Sequence, residues 1–257
     1  MATGVAVWAG LAMMLSGQIT PAPDVKERFE ARVYQEGEFK LPYRLLKPKG
    51  YDPQQKYPLV IFLHGAGERG DDNEKQLIHG MGEFASDTIM EKYPAFVLAP
   101  QCPTGQVWGG LSRLAKNPTP PDQLSPALAA TLQVVALLQK EFSIDEKRIY
   151  LTGLSMGGYG TWDALAKRPE LFAAAVPICG GGRPETAAKF KEIPIWAFHG
   201  ADDRTVPPER SREMIEALKA AGGQPKYTEY PGVGHNSWVH AYRDPELYAW
   251  LFAQKKP

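Results

Sequence analysis

The chain is expected to fold in the α/β class, as a mainly parallel eight-stranded sheet with helices on both faces, and three observations predict this. Short, mostly apolar runs recur at 59–63, 95–99, 149–151, 173–178 and 195–198, as strands buried on both faces require. Segments with helical spacing alternate with them, the pattern of a parallel sheet covered on both sides. A Gly-x-Ser-x-Gly run from Gly153 to Gly157 stands directly between an apolar run and a helix-like stretch at 159–167. That order of strand, sharp turn and helix is what an exposed nucleophilic serine needs.

Size and composition agree with a single globular domain. The chain has 257 residues, 44% hydrophobic and 23% charged, with 29 basic residues balancing 29 acidic ones. The balance gives no electrostatic footprint for nucleic acid or for an anionic membrane surface. Cys102 and Cys179 are the only cysteines, too few for a disulfide scaffold and not at metal-ligand spacing, so both are expected as small buried hydrophobes. Residues 5–15 form an apolar run of signal-peptide length, followed by Ser16, Gly17 and the prolines at 21 and 23. The run is too short to span a bilayer as a helix. It departs from the usual leader in having no Lys or Arg before Lys26. Residues 1–22 are therefore expected to be a signal peptide or disordered leader of a secreted or periplasmic protein, and residues 23–257 the catalytic domain.

In chain order, 29–36 and 41–47 read as two extended segments joined by a turn at Gly37, an antiparallel opening of the sheet. The strand at 59–63 ends in His64-Gly65-Ala66-Gly67-Glu68-Arg69-Gly70. This loop carries neither a GxxxxGK[ST] nor a GxGxxG pattern, so it reads as half of an oxyanion hole rather than as a phosphate cradle. The backbone N–H of Ala66 is expected to join that of Met156 there. His64, lying before the loop, is expected to organise it by hydrogen bonding. Residues 74–93 carry a helix pattern interrupted by Gly80 and Gly82, and 95–99 is the next strand. The loop 101–110 leaves that strand's carboxyl end, where open α/β sheets bind ligands, which makes Trp108 a candidate wall of the substrate pocket or a cover of the core edge. After the prolines at 118–121, Leu128, Leu132, Val135, Leu138 and Phe142 recur at helical spacing. Strands at 149–151, 173–178 and 195–198, a helix at 207–221 and a last strand at 227–230 complete the alternation. The stretch 179–193 is too short for a helical lid, so the cleft is expected to be open.

A serine hydroxyl needs a base to take its proton and a carboxylate to hold that base in one tautomer. A Gly-x-Ser-x-Gly run arises by chance in about one chain in ten of this length, so the partners decide its meaning. His235 stands out among the five histidines, because it follows a strand and the flexible turn at 231–234 and precedes Asn236-Ser237-Trp238, which can start a helix. The segment 198–207 offers two adjacent aspartates, Asp202 and Asp203, of which one can serve while the other lies on the surface or caps the next helix. The order serine, acid, histidine is that of an α/β-hydrolase and unlike that of chymotrypsin or subtilisin.

Four stretches carry a resemblance: Gly153-Leu154-Ser155-Met156-Gly157-Gly158, His64-Gly65-Ala66-Gly67, the segment His199 to Pro207, and Gly234-His235-Asn236-Ser237-Trp238. Together they resemble the lidless serine esterases of the α/β-hydrolase superfamily. More closely, they are similar to the carboxylesterase and phospholipase-like group often labelled predicted peptidases, with feruloyl esterases and polyhydroxybutyrate depolymerases as relatives, over roughly residue 43 to the C-terminus. The resemblance implies Asp203 as the acid, since it holds the fifth place of the His-Gly-x-x-Asp pattern. It also implies His235 as the base and Ala66 as an oxyanion donor.

The expected chemistry is acyl transfer to water through Ser155, with no metal or organic cofactor, on a small-molecule or polysaccharide-linked ester. The same machinery could serve a peptidase of prolyl-oligopeptidase type or an acyltransferase. Trp108, Trp162 and Trp238 lie in or beside regions that could reach the cleft, and Arg69 is a further candidate substrate contact.

Overall fold

The computed structural model describes residues 23–109, 120 and 122–257. The expected leader at 1–22, and residues 118, 119 and 121 of the proline stretch, lie outside them.

Each apolar run forms a strand of one eight-stranded sheet: β1 (Phe29–Glu36), β2 (Phe39–Leu46), β3 (Tyr57–Leu63), β4 (Phe96–Pro100), β5 (Ile144–Leu154), β6 (Ala174–Ile178), β7 (Trp196–Gly200) and β8 (Lys226–Tyr230). The order across the sheet is β1-β2-β4-β3-β5-β6-β7-β8. β1 and β2 form an antiparallel hairpin and β2 is antiparallel to β4, while β4, β3, β5, β6, β7 and β8 run parallel. This is the α/β-hydrolase fold, and it sends the ends of β3, β5, β7 and β8 to one edge.

The helices among the described residues are α1 (Pro23–Arg28), α2 (Met81–Phe84), α3 (Asp87–Lys92), α4 (Pro126–Glu141), α5 (Met156–Lys167), α6 (Glu209–Ala220), α7 (Trp238–Arg243) and α8 (Pro245–Ala253). Side chains along a strand point alternately to the two faces, and β3 divides accordingly. Leu59, Ile61 and Leu63 join a core with Leu128 and Leu138 of α4, Leu165 of α5 and Met214 and Leu218 of α6. Val60 and Phe62 join the opposite core with Val25 of α1, Met81 and Phe84 of α2, Tyr242 of α7 and Leu251 of α8. Each such fully buried aliphatic or aromatic side chain contributes about 1.5–3 kcal/mol, so the inner strands are the most firmly held part of the molecule.

Most boundaries shift by one to three residues, and two elements depart further from the sequence expectation. β5 starts at Ile144 rather than near residue 149, because its first part pairs only at Tyr57 with Ile144 before an irregularity in register. There the charged run Asp145 to Arg148 reaches water and hides the strand pattern. The helix pattern at 74–93 resolves into a 3₁₀ turn at Lys75–Leu77 followed by α2 and α3. Gly80, at a left-handed φ of 75°, ends the first piece, and the Ser86 hydroxyl accepts the Ile89 N–H (3.4 Å) to start α3. Between β6 and β7 the chain makes only a 3₁₀ turn at Pro184–Lys189, so no helical lid is inserted there. Cys102 and Cys179 are both buried and unbridged.

Candidate active site

Ser155 sits between the last residue of β5 and the first of α5, at φ 53° and ψ −116°. A side chain at positive φ costs on the order of 1–3 kcal/mol and persists only where its surroundings enforce it. Here they do. Ser155 N–H donates to Ile178 O of β6 (3.0 Å), and α5 is drawn hard against the end of β3. A Cβ on Gly157 would lie 1.8 Å from Leu63 O, and one on Gly153 2.4 Å from Gly157 O. Only hydrogens at both positions let strand and helix meet at this angle.

His235 follows β8 and reaches Ser155 across 80 residues of chain, with Nε2 2.9 Å from the Ser155 Oγ. Its Nδ1 lies 2.7 Å from Asp203 Oδ2. Nδ1 donates to the carboxylate, which leaves Nε2 as acceptor for the serine hydroxyl. Two backbone bonds tie the acid loop to the histidine loop: Ala201 N–H to Tyr230 O and Asp202 N–H to Val233 O, both 3.0 Å. The Asp203 side chain is wholly buried. Its Oδ1 accepts the N–H groups of Thr205 (2.8 Å) and Val206 (2.9 Å), and His199 Nε2 stands 3.3 Å from Oδ2. Asp202 is exposed and α6 has no side-chain cap, so of the two alternatives Asp202 takes the surface.

His64 is buried at the root of the loop after β3. Its Nε2 accepts the Cys102 N–H (2.9 Å), so Nδ1 carries the proton toward Gly65 O (2.6 Å). Burial pushes its pKa down to about 4, which keeps the ring neutral and confines it to bracing the loop. Ala66 opens a 3₁₀ turn and Met156 opens α5, positions at which backbone N–H groups have no acceptor in their own helix. Both residues line a cleft of about 840 Å³ with Ser155 and His235.

Of the aromatic and basic candidates, the structure brings one to the cleft. Trp238 lines it, edge-on to His235 at 5.4 Å between ring centroids and beside His79 at 5.2 Å. Trp108 is not a wall of the pocket. It is fully buried, with its indole N–H donating to His64 O (2.9 Å) and its ring edge-on to His64, so it supports the loop from beneath. Trp162, a residue of α5, is buried beside Phe190. Arg69 is not among the described cleft-lining residues either. Its guanidinium donates to Ala66 O (3.0 Å) and Gln106 O (3.3 Å), stitching the loop after β3 to the loop after β4. Sequence reasoning missed His79, Tyr159, Arg204 and Arg210, which also line the cleft. Arg204 lies within the His199 to Pro207 segment and Tyr159 just past Gly158, where the motifs drew attention to the triad residues alone, while His79 and Arg210 stand in no motif.

Cys179 Sγ, an Asp203 oxygen and a His235 nitrogen lie within 4.8 Å of one another. Burial raises the Cys179 thiol pKa and disfavours the thiolate a metal would want. Asp203 and His235 already satisfy each other, so this donor set suits a hydrogen-bonded chain better than a cation.

Fold and site together define an α/β-hydrolase with its serine at the turn after the fifth strand. Residues 51–245 match the model of the phospholipase/carboxylesterase family, and the chain belongs to that family. Carboxylesterase SOBER1 of Arabidopsis thaliana is 28% identical over 193 residues, 69% of this chain and 82% of that protein. The crystal structure of a thermostable esterase superposes with a TM-score of 0.84 at 44% identity, covering 90% of this chain. The chain spans 64% of that esterase's length. A ferulic acid esterase from Anaeromyces mucronatus, 16% identical, shares the fold at a TM-score of 0.63 over 93% of this chain and 92% of its own. No helix among the described residues is long and apolar enough to cross a membrane.

Proposed function

We propose that the protein is a serine carboxylic-ester hydrolase in which Ser155 is the nucleophile, His235 the general base and acid, and Asp203 the residue that orients His235. The observation that carries this reading is the continuous hydrogen-bonded chain from Ser155 Oγ through His235 to Asp203, at 2.9 and 2.7 Å, opening into the cleft. As Ser155 Oγ bonds to the ester carbon, His235 Nε2 takes its proton and the carbonyl electron pair moves onto oxygen. The Met156 and Ala66 N–H groups stabilise that oxyanion. Collapse of the intermediate breaks the bond to the alcohol, which leaves with the proton from His235. Water then repeats the sequence on the acyl-enzyme and restores Ser155. Trp238 in the cleft wall supports a small, aromatic or sugar-linked ester, since an aromatic side chain offers apolar area to either kind of ring. The apolar run at 5–15 supports export, which N-terminal sequencing of the mature protein checks.

The test is a colorimetric short-acyl ester assay run beside a peptide-amide assay. Ester turnover is expected to exceed amide turnover, and Ser155→Ala is expected to lose ester cleavage while keeping the wild-type circular dichroism spectrum. Full activity in that variant removes the proposal.

A further inference from the structure

We infer that the ester this site takes carries an anionic oxygen group, a carboxylate or a phosphate, held by Arg204 and Arg210 of the cleft wall. The inference rests on the esterase reading above and names its substrate class.

The described walls of the cleft hold Arg204, Arg210, Glu68, His79 and His235. Burial raises the Glu68 pKa and lowers that of His79, and the two side chains stand 3.8 Å apart. Even with Glu68 ionised, two guanidiniums face one carboxylate, so the net charge of the described walls is positive. Arg204 directly follows Asp203 in the acid loop and makes no hydrogen bond or ion pair among the described residues. Arg210 comes from the first turn of α6, the positive end of the helix dipole, where a cation is electrostatically disfavoured. Its ion pair with Glu213 is at 3.3 Å, with both side chains about half exposed, the kind of pair that contributes little. Glu213 does not line the cleft.

Arg210 is rooted close to the chemistry. A Cβ on Gly181 would lie 2.8 Å from Arg210 Cβ and 3.2 Å from Tyr159 Cε1, so the bare backbone there lets both side chains approach. Tyr159 is one helical turn from the nucleophile, with its N–H on Ser155 O (3.1 Å). Guanidinium forks match carboxylate and phosphate oxygens two at a time. With about 840 Å³ available, the cleft has room for such a group beyond the reacting ester.

The experiment measures kcat/KM for matched pairs: the 4-nitrophenyl half-ester of glutaric acid against 4-nitrophenyl pentanoate, the ester of 4-phosphonobutanoic acid against the same neutral partner, and 4-acetoxybenzoate against 4-tolyl acetate. The first two place a carboxylate or a phosphorus oxyacid on the acyl side, and the third a carboxylate on the alcohol side. In Arg204→Ala/Arg210→Ala, the anionic-to-neutral ratio is expected to fall about 10- to 100-fold for at least one pair, the size of a charge-assisted contact. The pair that responds identifies the anion and its side. Arg204→Lys/Arg210→Lys is expected to keep part of the ratio. Arg212→Ala, which removes an arginine engaged with Glu209 and Glu229 outside the cleft, is expected to leave it unchanged. Cleavage of the neutral esters with ratios unaltered by the double alanine variant overturns this inference alone. No cleavage of any ester overturns the esterase reading and this inference with it.

Discussion

Asp202 and Asp203 are chemically identical neighbours in opposite surroundings. Asp203 is buried and gathers the N–H groups of Thr205 and Val206 and the Nδ1–H of His235, whereas Asp202 is exposed. In Asp203→Asn an amide N–H would face His235 Nδ1, turning that nitrogen into an acceptor and placing the ring proton on Nε2, where it cannot receive one from Ser155. Turnover is expected to fall by up to about 10⁴-fold with the fold retained. Asp202→Asn is expected to stay within about twofold of wild type. Steady-state kinetics on one ester check both, and the reverse result would move the acid to Asp202. The residues alone left the two aspartates open, because which one turns inward depends on backbone bonds of the acid loop to Tyr230 and Val233, some 30 residues away. The turns that carry Ser155 and His235 were legible for a local reason: each bears glycines and directly follows a strand.

At the scale of elements, what could be read was whatever is buried on both faces. The inner strands appear as unbroken apolar runs, and α4 as Leu128, Val135 and Leu138 at helical spacing. The start of β5 stayed hidden because charged residues there protrude beyond the sheet. Of the two places open to Trp108, cleft wall or cover of the core edge, it takes the second: its loop leaves a strand's carboxyl end, yet the indole turns back to donate to His64 O. The junction of β5 and α5 makes the sharpest prediction. Gly157→Ala would drive a methyl group to 1.8 Å from the Leu63 carbonyl oxygen, with no flexible side chain to yield. A loss above about 4 kcal/mol, or no soluble protein, is expected. Gly67→Ala, in the loop after β3, meets nothing within 4 Å and is expected to melt within a few degrees of wild type. Comparable melting temperatures for the two would mean that the strand and helix do not meet as described.

For the molecule as a whole, equal numbers of acidic and basic residues conceal an uneven distribution that only the fold reveals, including two buried histidines whose pKa values burial lowers. His64 is fully buried with its pKa pushed down to about 4 from an ordinary 6.5, chiefly by desolvation. His199, held between Ser211 Oγ (2.7 Å) and Val206 O (2.9 Å), is shifted in the same direction. Between pH 6.5 and 4 the unfolded chain binds a proton at His64 and the folded chain does not, so stability falls as pH drops through that window. His64 alone is expected to remove about 2.5 kcal/mol by pH 4.5, and His199 adds to this. The raised pKa of Glu68 works the other way, because its contribution is present at low pH and fades as pH rises through its folded value. Urea unfolding at pH 7.5 and pH 4.5 measures the balance, and NMR of the His64 ring, unchanged until about pH 4, assigns it. Equal stability at the two pH values, with the His64 ring titrating near 6.5, would mean that water reaches it. In that case the loop carrying Ala66 would lack the neutral, fixed brace that the proposed oxyanion donor needs to be preorganised.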